Sequence, residues 1–343
     1  MTGNLGYVGT VLTPMLAHAG HDVVGLDAGY FRDCVIGPAP DSRVSRQILK
    51  DVRDAEREDV SACDAVIHLA ALSNDPMGDL DPALTEAINL RASERLASLA
   101  MDAGVERFLF ASSCSIYGQS PDAALTEESP LNPLTAYARS KVGFERFLAS
   151  AAGERFSPLS LRNATAYGFS PRLRVDLVVN NLLGSAMTSG EVKLLSDGTA
   201  WRPLVHVEDM SRAFVTALST DRRRWHNLAL NVGVEQDNFR IRDLATLVAG
   251  VVPDSRVTMA EGATADSRNY NVSFQRIRDV LPGWRPAYDV PRGTEHLYRT
   301  IGAGGLTRDQ FQGHVFSRLK HLLCHREAGR LDAALRWSDS RGV

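Results

Sequence analysis

Short apolar runs alternate with longer segments in which apolar residues recur at helical spacing through the first half of the chain. That pattern predicts a parallel sheet covered by helices on both faces. The runs are Val23-Val24-Gly25-Leu26 ending on Asp27, Gln47-Ile48-Leu49 leading to Asp51, Ala65-Val66-Ile67-His68-Leu69, Arg107-Phe108-Leu109-Phe110 and Ser157-Pro158-Leu159-Ser160-Leu161. Between them the sequence predicts a helix over 8–19 stopped by Gly20, one running from the cap Asp81 and first-turn Pro82 to Gly104, and one over 135–152. After Arg162 the alternation fades, and loops rich in Gly, Pro and Asn separate shorter segments. The change predicts a first domain over residues 1–165, with 166–343 mainly a smaller α/β domain on the carboxyl edge of the sheet, where open α/β sheets bind ligands. The apolar segments at 204–207 and 228–232 are expected to return to the main sheet and interleave the two.

Thr2-Gly3-Asn4-Leu5-Gly6-Tyr7-Val8-Gly9 precedes the first helix. Three glycines at this spacing let the backbone turn tightly, approach a pyrophosphate and pack on a sheet, while the helix N-terminal amides face the phosphates. The expected architecture is therefore a Rossmann-type doubly wound sheet that binds a dinucleotide. Asp27, at the end of the next strand, is placed to accept both ribose hydroxyls of NAD and to repel the 2'-phosphate of NADP; an ordinary strand-end turn is its other reading. No apolar run precedes the glycines, although the strand feeding such a loop lies mid-sheet. Its loss would remove several buried aliphatic side chains, so the natural chain is expected to start several residues upstream of Met1.

Composition narrows the function classes. A chain of 343 residues buries a large core, and neither a formal charge of -3 nor scattered arginines suit a nucleic-acid surface. No apolar run is long enough to span a membrane, and the first residues belong to the nucleotide loop rather than to a signal peptide. A soluble cytoplasmic protein without nucleic-acid or membrane partners is expected. The cysteines Cys34, Cys63, Cys114 and Cys324 lack paired spacing, as suits reduced thiols. His321, Cys324 and His325 share helical spacing, but no further ligand cluster accompanies them, so a polar helix face and no metal are expected.

The strongest chemical signal is Tyr137-Ala138-Arg139-Ser140-Lys141, which sets a phenol and an ammonium on one helix face. Only Lys50, Lys141, Lys193 and Lys320 are lysines, so this pairing is not a product of lysine abundance. A nearby ammonium favours the phenolate, which fits Tyr137 to act as a general base. Upstream, the strand at 108–111 runs into Ser112-Ser113-Cys114-Ser115-Ile116-Tyr117-Gly118.

Together with Asp51, His68-Leu69-Ala70-Ala71 and Arg202 within Trp201-Arg202-Pro203-Leu204-Val205-His206-Val207-Glu208-Asp209, these motifs give a chain that resembles the extended short-chain dehydrogenase/reductase family of nucleotide-sugar epimerases and dehydratases. The resemblance spans roughly residues 2–290. It implies a tightly held NAD that takes a hydride from a sugar carbon, usually C4, while Tyr137 removes the hydroxyl proton, Ser113 hydrogen-bonds that hydroxyl and Lys141 also contacts the nicotinamide ribose. It further implies that Gly3, Gly6, Tyr7, Val8, Asp27, Asp51, Val52, Leu69, Ala70 and Ala71 line the cofactor and that Asn163 lies near the nicotinamide. For the nucleoside diphosphate sugar, Arg202 and Arg268 are the expected diphosphate clamps, since the planar guanidinium suits bidentate phosphate binding. Asn180 is expected at the base and Ser73 at the sugar, and Thr165 stands where many relatives carry an asparagine that binds the diphosphate.

The 4,6-dehydratases of the family place an Asp-Glu pair after the serine, where this chain has Cys114-Ser115. Without those carboxylates, 4-epimerisation through a transient 4-keto sugar is the leading expectation. Cys114 keeps two readings, an acid or base that would make the protein a dehydratase or 4-keto oxidoreductase, and a buried packing residue. A non-catalytic NAD-binding sensor is the alternative of another class. By the same resemblance, the segments 81–103 and 135–152 pair across a two-fold axis in a homodimer. The tail from about Gly302 lies outside these motifs and receives no functional reading.

Overall fold

The structure, a computed structural model, describes residues 1–38, 40–41, 43–73, 81–264, 266 and 268–338, with the side chains at 120–123 left out. Its main sheet is parallel. Strand β1 (Val24–Asp27) pairs with β2 (Arg46–Leu49), and β3 (Ala65–His68) pairs with β4 (Arg107–Ser113). Strand β5 (Gln119–Leu125) lies outside this sheet, while β6 (Ser157–Asn163) continues it beside β4. Between β1 and β3 sits Thr2, bridged to Leu26 on one side and His68 on the other. The Met1 ammonium donates to the Val24 carbonyl at 2.7 Å, Leu26 N to Met1 O at 2.9 Å and Thr2 N to Ile67 O at 2.9 Å. Two residues thus hold the place of the strand expected to feed the glycine loop.

Period two along β4 sends Phe108 and Phe110 to one face and Leu109 to the other. The phenylalanines pack with Leu96, Ala100, Phe144 and Leu148 of the covering helices, and Leu109 joins Leu12, Leu16, Leu159, Leu161 and Phe214 on the opposite side. The helices form near the expected positions. Helix α1 (Gly9–His18) stops before Gly20, whose φ of 87° is open to glycine. Helix α2 (Pro82–Glu86) is capped by the Asp81 carboxylate, which accepts from Leu84 N at 2.9 Å, and passes through a π turn at Ala87–Arg91 into α3 (Ala92–Asp102). Helix α4 (Ala136–Ala151) is capped by Thr135, whose Oγ1 accepts from Ala138 N at 3.1 Å.

The later apolar segments divide. Strand β7 (Thr165–Tyr167) pairs with β9 (Trp201–His206), and β8 (Glu191–Leu194) lies apart from both. Residues 204–206 therefore do not return to the main sheet as the sequence suggested: β9 is buried from Arg202 to His206 between β7 and β11 (Asn238–Arg240). Strand β10 (Leu228–Val232) does return, beside β6. Two further parallel pairs, β12 (Arg256–Met259) with β8 and β13 (Asn269–Val272) with β5, complete the second layer. The polar face expected at His321 and His325 is in fact covered: His321 packs against Phe31 and His325 against Trp337, and both histidines are buried. No helix among the described residues is long and apolar enough to cross a membrane.

Candidate active site

A cleft of about 860 Å³ opens at the carboxyl ends of the main-sheet strands and is walled on its far side by the second layer. Gly3, Gly6, Tyr7, Val8, Asp27, Asp51, Val52, Leu69, Ala70 and Ala71 line one end, and Ser113, Tyr137, Lys141 and Asn163 line its middle. Ser73, Thr165, Arg202 and Arg268 line the rest. Residues some 270 positions apart in sequence meet on one surface because the loops and helix after the main-sheet strands face β9 and the segment before β13 across the cleft.

At the glycine end the chain lies flat against the loop after β3. Gly3 has φ 75°, and a Cβ there would fall 2.8 Å from Ala70 N; one on Gly9 would overlap the Gly3 carbonyl oxygen. The cradle is kept open by backbone alone. Asp27 accepts from Gly29 N at 2.7 Å through Oδ1 and from Leu5 N at 3.1 Å through Oδ2. It is both a turn residue and a lining residue, and its carboxyl is pushed up by burial, with the two amides opposing. Each oxygen keeps acceptor capacity toward the cleft. Asp51 is more committed: burial raises its carboxyl, but bonds from Arg53 hold it below the usual range, and the Tyr30 hydroxyl oxygen lies 3.1 Å from it. The Asn163 amide donates to the carbonyls of Ser112 and Leu161 at 3.0 and 2.9 Å, while its Oδ1 is buried without a partner among the described residues. A bare backbone cradle, a buried aspartate with acceptor capacity to spare and an amide oxygen without a partner among the described residues, all in one cleft, fit a dinucleotide whose pyrophosphate, ribose and nicotinamide carboxamide need those groups.

In the middle, the Lys141 ammonium donates to Ala111 O at 2.8 Å and lies 5.4 Å from the centre of the Tyr137 ring. Burial lowers Lys141 to about 7, with Glu145 acting in the opposite direction. Ser113 Oγ accepts from Ser115 N at 3.1 Å, so its hydroxyl proton is available to donate. Beneath these groups is a network the sequence reading missed. Ser112 donates to Glu145 at 2.5 Å, Arg162 pairs with Glu145 at 2.8 Å and donates to the Tyr117 hydroxyl at 3.0 Å, and Tyr117 donates to Asn231 at 2.8 Å. It pins β4, β6, β10 and α4 together behind the reactive face. Glu145, one helical turn beyond Lys141, was the available signal. Asn89, in the π turn, likewise exchanges bonds of 2.8 and 3.0 Å with the backbone of Leu72 and fixes the loop that lines the cleft.

At the other end Asp266 holds both expected clamps, Arg202 at 2.6 Å and Arg268 at 3.1 Å, and Arg202 Nη1 also donates to the Arg268 carbonyl. Burial raises the Asp266 carboxyl, but the two guanidiniums hold it low. Arg174 is a lining cation that sequence reasoning passed over in Arg172-Leu173-Arg174-Val175-Asp176. It pairs with Asp176 at 2.7 Å and donates to Ser73 at 3.0 Å.

Asn180 stands elsewhere than expected, and Cys114 takes the packing one of its two readings. Asn180 is buried in helix α5 (Val178–Ser189), accepting from Gly168 N at 3.0 Å and donating to Arg174 O at 2.9 Å, so it braces the turn after β7; its neighbour Asn181, about 100° round the helix, is the one on the cleft wall. Cys114 turns away from the cleft: it is 1% exposed, its thiol donates to Arg162 O at 3.1 Å, and burial pushes the thiol well above its ordinary range. Cys114→Ser, which keeps that donation, is expected to turn over substrate at the wild-type rate. A loss of turnover at an unchanged melting temperature would return the thiol to the chemistry.

Residues 1–233 match the model of the NAD dependent epimerase/dehydratase family. A UDP-glucose 4-epimerase of Mycolicibacterium smegmatis is 30% identical over 302 residues, covering 85% of this chain and 95% of the relative. Among solved structures, MoeE5 in complex with UDP-glucose and NAD is similar at 27% identity and a TM-score of 0.76, over 88% of this chain and 97% of the other. TunA, an NAD-dependent NDP-hexosamine 5,6-dehydratase, shares the fold at a TM-score of 0.78 and 22% identity, over 88% and 96%.

Proposed function

The chain belongs to the NAD-dependent epimerase/dehydratase family, and from that premise we propose that it is a nucleotide-sugar 4-epimerase. When bound, NAD supplies a reversible hydride acceptor for the sugar C4. Tyr137 takes the C4 hydroxyl proton as that carbon is oxidised to the ketone. Ser113 orients the hydroxyl, and Lys141 stabilises the phenolate during the transfer. The 4-keto sugar then turns its other face, and Tyr137 returns the proton to oxygen as C4 is reduced, so no atom is lost or gained.

The observation that carries this reading is the state of the carboxylates. Among the described residues lining the cleft they are four: Asp27 and Asp51 at the cofactor end, Asp176 on Arg174, and Asp266 on the two arginines. Dehydration needs a further acid and base beside C5 and C6, whereas redox at one carbon needs only Ser113, Tyr137 and Lys141. Relatives named for UDP-glucose 4-epimerisation and a neighbour bound to UDP-glucose support a UDP-sugar as the first substrate to try. In this reading the enzyme works in the cytoplasm as a homodimer paired through the helices at 82–102 and 136–151. Incubation of the purified enzyme with a panel of nucleoside diphosphate sugars is expected to give a C4 epimer by NMR with no change of mass. Release of water or carbon dioxide would overturn the proposal, and light scattering of the same sample tests the dimer.

A further inference from the structure

The tail beyond the family motifs comes back to the cofactor end of the cleft. Helices α6 (Val207–Ser219), α7 (Ile241–Val251), α8 (Gln275–Val280), α9 (Val290–Gly304) and α10 (Arg308–Gln312) lead to α11 (Arg318–Glu327), whose first residue lines the cleft while being only 2% exposed. The Arg318 guanidinium lies over the Phe31 ring, 4.5 Å from its centre, and Nη2 donates to Arg172 O at 2.6 Å. Its Nη1 is buried and has no partner among the described residues. Arg172 is buried beside it, with Nε and Nη1 also unpartnered among the described residues, and Arg174 is already neutralised by Asp176. Burial, with Arg174 and Arg172 adding repulsion and Cys34 and Asp176 opposing it, lowers Arg318 to about 10. Among the described residues no carboxylate pairs directly with this guanidinium, although Asp27 and Asp176 lie within electrostatic range, and a buried cation lacking a direct partner destabilises a fold unless an anion joins it.

The location says which anion. Arg318 holds Arg172 O, Arg172 N donates to Ser170 Oγ at 3.2 Å, and Ser170 donates to the Tyr7 carbonyl at 2.7 Å, which ties the guanidinium to the glycine loop. On its other side, Phe31 stands four residues past Asp27. The guanidinium also lies close enough to bias the ionisation of both Tyr7 and Asp27. Arg318 therefore sits between the ribose-binding aspartate and the phosphate-facing loop, whereas the Arg202–Asp266–Arg268 cluster belongs to β9 and the segment before β13. We propose that Arg318 binds the pyrophosphate of NAD through Nη1, making the C-terminal tail part of the cofactor site. The rest of the tail buttresses the adenosine end: Tyr30 donates to Leu335 O at 2.5 Å and the Trp337 indole donates to Ala28 O at 2.7 Å.

The test is Arg318→Met in the full chain, read by NAD retained per chain after gel filtration and by thermal shifts with NAD, ADP-ribose, adenosine and UDP. Because the unpartnered charge is removed, the ligand-free melting temperature is expected to hold or rise. Affinity for NAD and ADP-ribose is expected to fall roughly 10- to 100-fold, while adenosine and UDP shifts stay at wild-type values. Arg318→Lys keeps the charge and is expected to recover part of the ADP-ribose affinity, which keeps the question answerable where the methionine variant does not fold. Unchanged ADP-ribose binding overturns the proposal. So does an equal loss for adenosine, which would mean collapse of the tail, or a loss confined to UDP, which would place Arg318 on the substrate's diphosphate.

Discussion

Tyr137→Phe is expected to lower turnover roughly 10²- to 10⁴-fold, the usual worth of a positioned general base, while NAD content and melting temperature stay at wild-type values. The substitution removes one oxygen and leaves the ring on the same helical face. Thr135 still caps α4, Lys141 keeps its bond to Ala111 O, and Ser113 keeps its bond from Ser115 N. Substrate affinity is expected to change little, because the loss falls on proton transfer rather than on the diphosphate contacts. Single-turnover kinetics separate the two: product formation slows, and the amplitude of nucleotide-sugar binding persists. A Tyr137→Phe enzyme indistinguishable from its parent, with NAD still bound, would turn the reading toward a redox-responsive binding protein.

The parts of this site that could be read from sequence are those fixed by backbone geometry. Gly3, Gly6 and Asp27 occupy their positions because a turn after a strand admits few residue types, and Tyr137 and Lys141 meet because four residues make one helical turn. What the sequence left open at Cys114 and misplaced at Asn180 depends on which way a side chain points. Cys114 and Asn180 lie next to cleft residues in sequence, yet one packs under β6 and the other faces the turn after β7. The tail was illegible for a different reason. Arg318 received no reading, and His321 and His325 read as solvated because polar types usually are; the aromatic covers are remote in sequence for Phe31 and beyond a turn for Trp337. Local pattern carries no signal for a contact made across 287 residues. Strand β9 shows the limit again: its apolar run is right for a buried strand, but periodicity does not say in which sheet.

Lys141→Met is expected to cut turnover by roughly 10²-fold or more and, at the same time, to stabilise the NAD-free protein at pH 7. Lys141 is 4% exposed, and burial brings its folded-state value to about 7 from an ordinary 10.5. Between those values the unfolded chain binds more protons than the folded one, so stability rises with pH across that window and is lowest below about 7. The shift corresponds to about 5 kcal/mol at the most. Methionine has a similar shape, carries no charge and avoids that cost, but it leaves Ala111 O without the 2.8 Å donation, an offset of about 1–3 kcal/mol. The net expectation is a gain of about 1 kcal/mol or more, seen as a rise of a few degrees in melting temperature. The discriminating measurement is the pH series: wild type should gain stability from pH 7 to pH 9, and Lys141→Met should gain less. If both proteins show the same pH slope, Lys141 is not the buried cation inferred from its surroundings. If the slope difference appears together with the loss of turnover, the ammonium that favours the Tyr137 phenolate is held at the expense of the fold, and the Glu145–Arg162 network beneath it is what lets the fold bear that charge.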